Sequence, residues 1–105
     1  MNDTTAGTTD PTPYEHTLKL QGDLVTASTA AHRQAIKELI AQGIKTLSID
    51  LADCAMVDSS GIGLLVATHN SLTKLGGRLA LTHASEDLRE LFQTMRLQQH
   101  FSIGA

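Results

Sequence analysis

The sequence has no tryptophan, and only 3% of its residues are aromatic. Stacking platforms for nucleic-acid bases are therefore missing. There is one cysteine, Cys54, so neither an intrachain disulfide nor a thiolate metal cluster is available, and a reduced, cytosolic setting fits. No run of about 18 apolar residues occurs, which leaves no candidate for a membrane-spanning helix. The opening segment, MNDTTAGTTDPTP, has neither a basic stretch nor an apolar one, so it does not read as a secretory leader. Positive charge is scarce as well. Eight Lys and Arg are scattered among eleven Asp and Glu, for a net charge of −3, whereas a nucleic-acid surface needs clustered cations.

What is present suits one small globular domain. The chain has 105 residues, and 41% of them are hydrophobic, enough for a single core but with little margin, because short chains bury a smaller share of their surface. Residues 1–13 are polar beyond Met1 and are expected to form a flexible tail, with the domain spanning 14–105.

Three strands and three helices alternate. From Tyr14 to Gln21, His16, Leu18 and Leu20 fall on one face and Thr17, Lys19 and Gln21 on the other, the period of a half-buried strand. Gly22-Asp23 ends it. Residues 27–42 carry Ala35, Ile36, Leu39 and Ile40 at helical spacing, with Gly43 as the stop. Lys45–Leu51 alternates again. A second helix is expected from Ser59 to Leu75, its first half apolar on nearly all sides, which predicts deep burial. Arg78–His83 forms a third strand. Ser85 caps a third helix, whose stripe is Leu88, Leu91, Phe92 and Met95. The segment after Leu97 carries no clear pattern.

This order predicts an α/β fold with a small mixed, mainly parallel sheet. Parallel strands covered on both faces are continuously apolar, but these alternate. The helices are therefore expected on one sheet face, as a right-handed β-α superhelix.

The segment that carries chemistry is Met56-Val57-Asp58-Ser59-Ser60-Gly61-Ile62-Gly63. It joins the second strand to the second helix. Asp58 or Ser59 suits the N-cap. Gly61 and Gly63 are poor helix formers, useful where a neighbouring backbone or a ligand comes close. Free N–H groups and the positive end of the helix dipole favour an anion here. Plain capping explains the same residues equally well.

Other motifs fail. Val66 stands where a dinucleotide fingerprint needs its third glycine. The nucleophile elbow G-x-S-x-G is absent. The five histidines, at 16, 32, 69, 83 and 100, include no pair four apart, and no metal or cofactor is expected. A small enzyme using Ser59 or Ser60 as nucleophile would lack a local histidine base. Asp50 and Asp53 read as solvated acids at a strand end.

The residues LQGDL, LSIDLADCAMVDSSGIGLLV, LGGRLAL and LRELFQTMRL together resemble a STAS domain of the bacterial anti-sigma factor antagonist branch. The likeness covers some four-fifths of the chain, and the DSSG block is its distinctive part. The resemblance implies a one-sided β-α coil and a non-enzymatic, cytoplasmic phospho-switch. Such a protein binds a GHKL-type serine kinase that doubles as an anti-sigma factor, and a PP2C-type phosphatase restores it. Carried over, the phosphoacceptor is Ser59, and the contact surface comprises Gly22, Asp23, Asp58, Ser60, Gly61 and Ile62. An alternative within the family is an accessory subunit that binds the ATPase of a lipid-transport ABC system. Two departures stand out. Val25 replaces the acid of the family's G-E-L-D turn, a role Asp23 could partly take over. The family's extra N-terminal strand has only the polar tail to draw on.

Overall fold

The computed structural model describes residues 15–104. The expected tail, the strand start at Tyr14 and any extra N-terminal strand lie outside the described residues. Four strands form one sheet in chain order: β1 (Glu15–Lys19), β2 (Thr46–Asp50), β3 (Arg78–Thr82) and β4 (Ser102–Ile103). Every described pair is parallel, with Leu18 beside Ile49 and Ile49 beside Leu81. Three helices connect them: α1 (Thr26–Ala41), α2 (Ser59–Lys74) and α3 (Glu86–Thr94).

In β2 and β3 the alternation read from the sequence is the alternation of burial, whereas in β1 His16 is exposed and Leu18 only half-buried. Leu47, Ile49, Leu79 and Leu81 are buried, while Thr46, Ser48, Ala80 and Thr82 between them are only half-buried. Helix α2 packs on β3, and α1 packs on α2. The buried stripe of α2 is Gly61, Leu64, Leu65, Thr68 and Leu72. Leu64, Leu65 and Leu72 of this stripe, with Leu88 and Phe92 of α3, join the inner strand residues in one core. That is the outcome expected of a single helical layer over one sheet face.

Several boundaries differ from the expectation. Helix α1 starts one residue earlier than its spacing suggests and stops at the C-cap Gln42, after which Gly43 takes φ 99° and the Ile44 N–H returns to the Leu39 carbonyl at 3.1 Å. Helix α2 is not buried all round: Ala67 is exposed, and Ile62 and Val66 are half-buried. A helix in a single layer turns one side away from the sheet, so part of its surface stays wet whatever its composition. Met95 likewise ends α3 at 48% exposure instead of completing its stripe. After a 3-10 turn at Leu97–Gln99, β4 adds Ser102 and Ile103 beside Ala80 and Leu81. Two residues are too few to display a period.

The anchoring of α2 sets where its first turn lies, and Leu65 is 0% exposed. Leu65→Ala is expected to lower stability by about 2–5 kcal/mol, whereas Val66→Ala one residue on should lower it by less. Urea unfolding of the two variants, compared at constant slope, measures the difference.

Candidate functional site

In a parallel sheet, successive strands end at the same edge. The turns after β1 and β2 therefore emerge side by side, and the backbone stitches them together. Leu24 forms a parallel bridge with Val57. The Leu24 N–H donates to the Met56 carbonyl at 3.0 Å, and the Asp58 N–H donates to the Leu24 carbonyl at 3.2 Å. Helices α1 and α2 leave this junction together, so their N-terminal ends and positive dipole ends converge.

Each helix start needs acceptors for its free N–H groups. Val25, the N-cap of α1, makes no side-chain cap, since valine carries no acceptor. Its own N–H donates instead to the Ser28 hydroxyl at 3.1 Å. Asp58, the N-cap of α2, serves both helices. Its Oδ1 accepts from the Gly61 N–H at 3.0 Å. Its Oδ2 accepts from the Thr26 N–H at 3.0 Å and from the Thr26 hydroxyl at 3.1 Å. These bonds, Gly61 first and Thr26 next, hold the Asp58 carboxyl below its ordinary pKa. The Thr26 hydroxyl in turn lies 2.8 Å from that of Ser60.

The residues singled out by sequence take up different places. Ser59 is exposed at the first position of α2, and its hydroxyl has no hydrogen-bond partner among the described residues. Asp58 and Ser60 are half-buried in the capping arrangement. Gly22 and Asp23 form the adjoining turn, and Ile62 lies half-buried one turn along α2. Gly61 does not belong on a contact surface. It is buried, and a Cβ there would run into the Leu24 carbonyl oxygen and lie 2.9 Å from both Leu24 Cγ and Val57 Cγ1. Of the two uses open to this glycine, the structure selects close approach of a neighbouring backbone. Gly63 is different, exposed with nothing near it.

Asp23, the acid nearest to position 25 in this turn, is tied to the neighbouring loop. Its Oδ1 accepts from the N–H groups of Ala55 at 2.9 Å and Met56 at 3.1 Å, which fixes the β2–α2 loop. Asp50 and Asp53 are engaged at the strand ends, with His83 at 3.3 Å and Lys19 at 3.6 Å. His69 packs its ring against Phe101, 5.5 Å between centroids. Burial pushes the Cys54 thiol up from its ordinary pKa, so it is not primed as a nucleophile. Among the described residues no cluster of three or more metal-ligating side chains occurs.

Two contributors were not picked out by sequence. Thr26 completes the Asp58 cap from another helix, 32 positions away, and nothing in its local sequence signals that pairing. Met56 is 58% exposed in the loop before Ser59. A large apolar residue in a turn was the available sign.

Comparison with known proteins bears on this arrangement. Residues 8–105 match the STAS domain family. The anti-sigma-B factor antagonist of Bacillus subtilis is 33% identical over 88 residues, covering 84% of this chain and 80% of that one. The anti-sigma factor antagonist SpoIIAA in its unphosphorylated form superposes with a TM-score of 0.70 at 25% identity, over 90% of this chain and 82% of that one. A structure of the Bacillus SpoIIAA protein in the phosphorylated form gives 0.69 at 26% identity, over 90% and 86%.

Two measurements test the site. Asp58, with its depressed folded pKa, stabilises fully above the ordinary carboxylate range and progressively less as pH falls through the folded value. Asp58→Asn should therefore be less stable at neutral pH and lose less stability on acidification than the parent, as read by thermal melts from neutral to strongly acid pH. Gly61→Ala should lower stability by about 1–3 kcal/mol through overpacking, while Gly63→Ala should not, by urea unfolding.

Proposed function

The chain belongs to the STAS domain family, and on that footing we propose that it is a non-enzymatic phospho-switch, an anti-sigma factor antagonist whose acceptor is Ser59. The observation that carries this reading is an exposed serine at the first position of α2, with no hydrogen-bond partner for its hydroxyl among the described residues, in a chain 33% identical to an anti-sigma-B factor antagonist. That SpoIIAA has been solved both with and without phosphate supports the modification.

In this reading the partner is a GHKL-type serine kinase that also serves as the anti-sigma factor. It docks on Met56, Ser59, Ile62 and the Gly22-Asp23 turn when Ser59 is unmodified. The kinase supplies ATP, so this chain needs no nucleotide or metal of its own. Phosphorylation adds roughly −1.5 to −2 charges. The N-terminal N–H groups of α2 and its dipole accommodate them. The Asp58 carboxylate is already beside Ser59, so the added charge makes the patch strongly negative and expels an acidic or apolar partner face. A hundredfold loss of affinity corresponds to only about 2.7 kcal/mol, within reach of one desolvated, badly paired phosphate. The change is local, and the fold is not required to rearrange. A PP2C-type phosphatase reverses it, and the setting is the cytoplasm.

The test uses each GHKL-type serine kinase of the source genome, purified singly and mixed with this protein and ATP. One of them should place a single phosphate on Ser59, mapped by mass spectrometry, and the phosphorylated form should bind it about a hundredfold more weakly by calorimetry. Ser59→Asp should weaken binding only in part, since one carboxylate has less charge and fewer acceptors. Undiminished labelling of Ser59→Ala, or co-purification with a transport ATPase and its permease instead, would overturn the proposal.

A further inference from the structure

Two serines stand side by side at the start of α2, and by composition either could accept a phosphate. The hydrogen bonds separate them. Asp58 is held ionised, and a carboxylate oxygen can only accept. The 3.1 Å contact from Thr26 Oγ1 to Asp58 Oδ2 therefore consumes the single hydroxyl proton of Thr26. The 2.8 Å contact between Thr26 Oγ1 and Ser60 Oγ must then be made by Ser60 donating. A directed chain results, from Ser60 through Thr26 to Asp58. Chains of this kind strengthen each member by polarisation.

Ser60 is not withheld by burial. It lines an open groove of about 530 Å3 between α1 and α2, together with Thr26, Thr29, Ala30, Arg33 and Gly63. What fixes its hydroxyl is the bond to Thr26. Phosphoryl transfer forms an Oγ–P bond, breaks the bond from the γ-phosphorus to the β-γ bridging oxygen and releases ADP. The serine proton passes to a base on the kinase or to solvent. For Ser60 that step first requires breaking the chain to Thr26, whereas Ser59 has no such bond to break.

We propose that Thr26 is a specificity-determining residue of the Ser59 switch: its hydroxyl holds Ser60 against Asp58 and leaves Ser59 as the sole acceptor. This rests on the reading of Ser59 given above. Thr26 is not catalytic, because it acts through its neighbours.

The experiment compares the wild type with Thr26→Val and Thr26→Ser, using the kinase found active on Ser59 in the preceding assay, with ATP and site-resolved mass spectrometry. The wild type should carry phosphate on Ser59 alone. In Thr26→Val the Ser60 share should rise by roughly two- to tenfold, the equilibrium weight of one lost hydrogen bond. Thr26→Ser, which retains the hydroxyl, should restore the wild-type pattern. A merely structural role for Thr26 would change stability without moving this ratio. Exclusive labelling of Ser59 in Thr26→Val, or comparable labelling of both serines in the wild type, overturns the proposal. If no kinase labels the wild type at all, the Ser59 reading fails, and NMR titration of Asp58 judges the chain separately. Ser60→Ala should raise the Asp58 midpoint when Thr26 is present and leave it unmoved in the Thr26→Val background. An unmoved midpoint in both backgrounds overturns it.

Discussion

A single carboxylate governs the geometry at the strand-end edge of this domain. Asp58 accepts from Gly61 at the start of its own helix and from Thr26 at the start of another. The second bond supplies an acceptor to α1, whose own N-cap, Val25, has none. Two converging helix dipoles would otherwise leave unmatched positive ends. With Asp58 between them, the ends are tied to one negative charge, and the first turns of both helices are held in mutual register.

The presentation of Ser59 follows from that tie. The parallel sheet brings the turns after β1 and β2 to the same edge, and Leu24 and Val57 join them by backbone. Leu64, Leu65 and Leu72 fasten α2 to the core. The fit is tight at Gly61, where a Cβ would run into the Leu24 carbonyl. Ser59, two residues before it, is left exposed at the outside of this turn. On the proposed reading, a phosphate there would change the charge of that surface without rearranging the fold.

Much of this was legible in the sequence because it rests on local physics. The period of two in Leu47, Ile49 and Leu51 marks a strand, and its alternation marks a sheet with one face drier than the other. Asp58 before an apolar helix marks a cap, and Ser85 does the same for α3, where its hydroxyl accepts from Leu88 at 3.2 Å. The DSSG block carried the family likeness. Other features escaped for physical reasons. The apolar first half of α2 suggested burial on all sides, but a single helical layer has too few neighbours to cover Ala67. The bonds of Asp23 to Ala55 and Met56 had no sign in the sequence either, because that partnership is set by loop geometry.

The chain by itself determined three of the four strands, the three helices, the caps at Asp58 and Ser85 and the position of the exposed serine, because propensity, period and capping act within a few residues of each other. Only the tertiary structure decided which of two adjacent hydroxyls has a hydrogen-bond partner among the described residues and which has none. That choice depends on Thr26, which lies 34 positions before Ser60 and reaches it only because parallel strands end together. Hydrogen bonds have no memory of sequence distance, so pairings of this kind become visible only once the sheet has brought its turns side by side.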